Sequence, residues 1–100
     1  MGMMEKIVRD RIPDIMRAAN KVPRFRVAAS AERHPLLLAK LYEECREFEQ
    51  DRSVAELADI LEVVYALAAC LGATSEELHQ IRHDKLAERG GFLEGYVLEI

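Results

Sequence analysis

Apolar side chains recur at helical spacing through most of the chain, and the residues between them mark where helices begin and end. Ile12-Pro13-Asp14-Ile15-Met16 opens a short helix, since Pro13 at an early position gives up only an N–H that has no helical partner. That helix is expected to fade at Asn20-Lys21, before Pro23. Arg24–Ala28 (R-F-R-V-A) alternates with the period of a short strand. A long helix then starts at Ser30 or His34 and runs to about Asp51. Leu38, Leu41, Tyr42, Cys45, Phe48 and Glu49 share one face of it, a largely apolar stripe. Ser53-Val54-Ala55-Glu56 matches a capping box and starts the third helix, which Gly72 ends just after Leu71. Thr74-Ser75-Glu76-Glu77 is a second capping box, opening a fourth helix that stops near Arg89 at Gly90-Gly91. Gly95–Ile100 is rich in β-formers and is expected to pair with Arg24–Ala28. The pattern predicts a single all-α domain over residues 1–100, a helical bundle with at most one small two-stranded β-ribbon, residues 24–28 with 95–100.

The third helix has a consequence beyond its own ends. From Ala58 to Leu71 its only non-apolar side chains are Asp59, Glu62 and the amphipathic Tyr65. A helix apolar nearly all round must be buried nearly all round. A chain of 100 residues has few other elements to cover it. The bundle is therefore expected to be completed by homodimerisation about a two-fold axis.

Composition narrows the partners. Half the residues are hydrophobic and 32% are charged, which suits a helix-rich globular domain. A net charge of -4 argues against sequence-independent binding of nucleic acid, yet is compatible with a single nucleotide held through a metal. The longest apolar run, Val63–Leu71, is about half of what a bilayer requires, so no membrane association is expected. Met1-Gly2 lacks the Ser or Thr that myristoylation needs at position 6, where Lys6 stands. Cys45 and Cys70 fit helix positions in a reduced cytoplasmic protein better than they fit a disulfide.

The chemistry lies in two acidic clusters, Glu43-Glu44-Cys45-Arg46-Glu47 and Glu56-Leu57-Ala58-Asp59. They are near mirror images about a turn centred at Asp51-Arg52. In an antiparallel hairpin, residues equally far from the tip face each other, so Glu47 meets Glu56 and Glu44 meets Asp59. The two layers are three residues, roughly 4.5 Å, apart along the helix axes. Packed carboxylates repel and are costly to desolvate unless a cation joins them. Glu44, Glu47, Glu56 and Asp59 form an all-oxygen ligand set that suits Mg²⁺ (or Mn²⁺), leaving positions free for substrate phosphates. Glu43 and Glu62 stand at the edge of this set. Bland accounts compete: Glu56 also satisfies the capping box, and Glu43 with Glu47 also suits a solvated face paired with Lys40 or Arg46. Lys6, Arg9, Arg11, Arg24, Arg26, Lys85 and Arg89 are the cations available to phosphate, although Lys85 and Arg89 also suit a helix C-terminus. His79 and His83 are spaced i, i+4, but the H-E-x-x-H pattern and a third ligand are missing.

E-E-x-x-E followed by E-x-x-D on successive helices resembles the all-α nucleoside triphosphate pyrophosphohydrolase (MazG-like) superfamily. The flanking Lys6–Pro13, Glu56–Val63 and Ile81–Phe92 are similar to its small phosphoribosyl-ATP pyrophosphohydrolase-like branch. The resemblance covers nearly the whole chain. It implies hydrolysis of a nucleotide between its α and β phosphates, giving a monophosphate and pyrophosphate, in a homodimer or larger assembly. It also implies Mg²⁺ held by Glu44, Glu47, Glu56 and Asp59 with Glu43 in support, one of these carboxylates accepting the proton of the attacking water. Lys85 and Arg89 are its candidates for phosphate contacts. Only eight residues separate Glu47 from Glu56, which leaves little loop beside the site to shape a base pocket. A house-cleaning role on noncanonical nucleotides is therefore as consistent as one on phosphoribosyl-ATP. The rival from another class is a non-catalytic α-helical dimer, a binding or regulatory module whose acids are neutralised by Arg and Lys across the interface rather than by metal. A metal-ion buffer is a third.

Overall fold

The computed structural model describes residues 4–100, so Met1 and Gly2 lie outside the described residues. Four helices follow in order: α1 Ile12–Ala18, α2 Ser30–Gln50, α3 Val54–Cys70 and α4 Ser75–Arg89. The all-α class is as expected from the apolar periodicity. No helix is long and apolar enough to cross a membrane among the described residues.

Local chemistry accounts for most of the helix ends. Asn20 adopts a left-handed conformation (φ 62°) just past α1, a role its short polar side chain tolerates. At the start of α2 the Glu32 carboxylate accepts from the Ala29 N–H at 2.8 Å, so Ser30 and not His34 is the first residue. Pro35 is carried inside that helix. Ser53 Oγ accepts from the Glu56 N–H at 3.3 Å to cap α3. The second half of that capping box is absent, because the Ser53 N–H donates instead to the Asp51 carbonyl at 2.8 Å. The Glu56 carboxylate is thereby released from capping. Thr74 and Glu77 form the full reciprocal box on α4, and Gly90 ends it at φ 80°, where a Cβ would be strained.

The expected ribbon does not form: the described residues contain no strand, and 24–28 and 95–100 run without secondary structure. Arg26 is drawn instead to Glu5 and Glu32, and Arg17 stacks over the Phe25 ring at 5.1 Å. Side-chain attachments of this kind hold residues 24–28 beside α1 and α2 and leave no partner for an alternating ladder. The tail folds back only as far as one turn, with the Gly95 N–H donating to the Phe92 carbonyl at 3.3 Å.

Packing runs α2 on α3 and, more lightly, α3 on α4. Leu37 on α2 and Val63 and Ala68 on α3 are the buried hydrophobic residues. The radius of gyration, 17.1 Å, exceeds the roughly 13 Å of a close-packed domain of this length. One chain is an open arrangement. Leu57 and Leu61 of α3 each remain 46% exposed, so the helix with the most apolar sequence is only partly covered.

Candidate metal centre

The α2–α3 hairpin performs the convergence that the mirrored spacing predicts, with one member displaced. Glu44, Glu56 and Asp59 each present a carboxylate oxygen, and the three lie within 4.8 Å of one another. Glu44 is buried, with a relative exposure of 6%, whereas Glu56 and Asp59 are half-buried. Glu47 is exposed and stands beside this triad without joining it. The charge of Glu44 pushes the Glu47 carboxyl up, with a smaller push from Glu56. Burial pushes the Glu56 carboxyl up, helped by the charges of Asp59, Asp51 and Glu44. Both shifts are signatures of carboxylates crowded together with too little counter-charge.

Cations from the same chain offset part of that charge. Lys40, one helical turn before Glu44, lies 3.3 Å from its Oε1 and 3.5 Å from Glu43 Oε2. Lys6 donates to Glu43 Oε1 at 3.0 Å, and Arg9 Nη2 donates to Asp59 Oδ1 at 2.6 Å. Lys6 is the largest cause of the lowered pKa of Glu43. Glu43 is therefore a neutralised neighbour of the triad. Two oxygens remain without any partner although they are sealed from solvent, Glu44 Oε2 and Glu56 Oε2. A buried carboxylate oxygen left unbonded is expensive, so native folds rarely keep one without a use.

The residues fit a hard divalent cation. The donor set is all carboxylate oxygen, the preference of Mg²⁺ and Mn²⁺. Adjacent ligands of an octahedral Mg²⁺ are about 3 Å apart and opposite ones about 4.2 Å, so three oxygens within 4.8 Å of one another would draw closer together to hold one. Glu44, Glu56 and Asp59 would hold the ion, with Glu47 outside the group.

The other sequence candidates are spread out. Glu62 is exposed on α3, Arg11 occupies the N-cap position of α1, and Lys85 and Arg89 are exposed on α4. Among the described residues neither Lys85 nor Arg89 pairs with the triad, and Arg89 lines a separate groove of about 690 Å³ with Leu86, Phe92 and Tyr96. His79 accepts or donates one hydrogen bond with the Tyr65 hydroxyl at 2.8 Å, joining α4 to α3. Cys45 and Cys70 are free thiols. Sequence reasoning missed the Arg9–Asp59 pair, which spans fifty positions and has no local signal. Lys40 with Glu44 was detectable, since i, i+4 is the spacing of an intrahelical ion pair. No protein-family model, no curated protein and no solved structure matches the chain.

Proposed function

We propose that the chain is a Mg²⁺-dependent nucleotide pyrophosphohydrolase of the MazG-like kind, cutting between the α and β phosphates. The observation that carries this reading is the pair of sealed, unpartnered oxygens, Glu44 Oε2 and Glu56 Oε2, on two members of the triad that Asp59 completes. The mirrored E-E-x-x-E and E-x-x-D motifs and their flanks supply the reaction class through resemblance. A bound divalent cation supplies polarisation of the phosphates and acidifies a water. Glu44, Glu56 and Asp59 hold and orient; Glu47, exposed and of raised proton affinity, is the carboxylate suited to accepting a proton. The half-exposed Leu57 and Leu61 support a homodimer closed over α3 in a cytoplasmic enzyme.

A second reading has its own observation. Lys40 and Arg9 of the same chain already pair with Glu44 and Asp59, so a charge-paired, non-catalytic module would need no metal there. Two measurements separate the readings. Mg²⁺ or Mn²⁺ raises the melting temperature of an enzyme and leaves that of a charge-paired module unchanged. Pyrophosphate release from a panel of nucleoside triphosphates and phosphoribosyl-ATP is expected to fall about 100-fold or more in Asp59→Asn. Equal rates for wild type and Asp59→Asn would remove Asp59 from the chemistry.

A further inference from the structure

The segment 4–9, which precedes α1 and has no regular secondary structure, bridges the two helices of the α2–α3 hairpin near its tip. Lys6 ties it to Glu43 on α2 and Arg9 ties it to Asp59 on α3, while Glu5 ties its start to Arg26. One of these bonds ends on a member of the carboxylate triad itself. We propose that Arg9 is an exchanging phosphate ligand: it holds Asp59 while the triad is free of metal, and moves to an oxygen of a linked-phosphate anion once a divalent cation takes Asp59. This rests on the assignment of Glu44, Glu56 and Asp59 as metal ligands.

The exchange follows from charge and reach. A guanidinium 2.6 Å from an Asp59 oxygen sits within about 5 Å of any dication bound to the same carboxylate, where like charges repel strongly. Arg9 is half-exposed on a long stem, so leaving Asp59 requires no repacking. A di- or triphosphate bound to the metal then presents the nearest new negative charge, and Arg can grip two of its oxygens at once. Lys6 keeps its own partner, Glu43, which lies outside the triad, so the segment remains anchored as Arg9 swings.

Calorimetric titration of Mn²⁺ into the full chain, with and without inorganic pyrophosphate, tests this on wild type, Arg9→Gln and Arg9→Lys. Circular dichroism checks that each variant keeps its helices. Loss of a competing ion pair should tighten Mn²⁺ binding in Arg9→Gln by about two- to fivefold. The same variant, loaded with Mn²⁺, should bind pyrophosphate about tenfold more weakly, and Arg9→Lys should recover part of that loss. Unchanged or weaker Mn²⁺ binding in Arg9→Gln overturns the exchange, since Arg9 would then be orienting Asp59 for the metal. Wild type that binds Mn²⁺ normally beside such a variant leaves the metal assignment standing. Wild type that binds no Mn²⁺ overturns both.

Discussion

The tip of the α2–α3 hairpin and the C-terminal tail carry opposite kinds of sequence and meet opposite fates. The tip is crowded with like charges, yet its side chains are fixed by two helices, a Ser53 cap and a set of ion pairs. The tail after Gly91 is rich in Phe, Leu, Tyr, Val and Ile, yet it stands in solvent, with Phe92 99% exposed. Hydrophobicity alone does not fold a segment. A rigid helix presents its side chains with the backbone entropy already lost, whereas an extended tail must lose it to gain any contact. The exposed leucines of α3 are of the first kind, a preformed apolar surface; the tail residues are of the second.

The largest test of that contrast places a charge on α3. Leu61→Asp should convert the proposed dimer to monomer by sedimentation and lower its melting temperature by about 5–10 °C, because a carboxylate cannot be sealed in an apolar interface. A dimer that survives the change would show that α3 is not the interface.

A smaller effect should appear on changing pH without metal. Glu47 and Glu56 have carboxyls pushed above their ordinary value, so the folded protein binds those protons more readily than the unfolded chain does. Stability should therefore rise by a few degrees in melting temperature as pH falls from 7 towards the ordinary carboxylate range, and Mg²⁺ at pH 7 should give the same relief. Glu32 works in the opposite direction, held down to about 2 by Arg26 and the Ala29 N–H. Its stabilisation is present above the ordinary value near 4.5 and fades as pH falls towards 2. A melting temperature that declines steadily from pH 7 downwards would contradict the crowding at the tip.

The smallest effect belongs to the tail. A chain ending at Gly91 should bind Mn²⁺ within about twofold of the full chain, since no residue of the tail touches the triad. A larger change would make the tail part of the site.

The candidate centre was partly legible because helices are local objects. Glu44 and Asp59 could be paired from their distance to Asp51-Arg52, since a tight antiparallel hairpin fixes who faces whom. The same rule sets Glu47 opposite Glu56, but Glu47 is exposed and stands outside the group formed by Glu44, Glu56 and Asp59. The ribbon failed for the complementary reason. Alternation states that a segment can be a strand, and only a partner at the right distance makes it one.

The sequence by itself determined the helices, most of their ends and the acidic character of the hairpin tip. Those depend on interactions within four residues, which spacing records directly. Only the tertiary structure decided that Glu56 leaves its cap for the site, that Glu47 stays out, and that Arg9 reaches Asp59. Each of these is a competition between distant groups for one side chain, and its outcome depends on where the packed helices bring those groups.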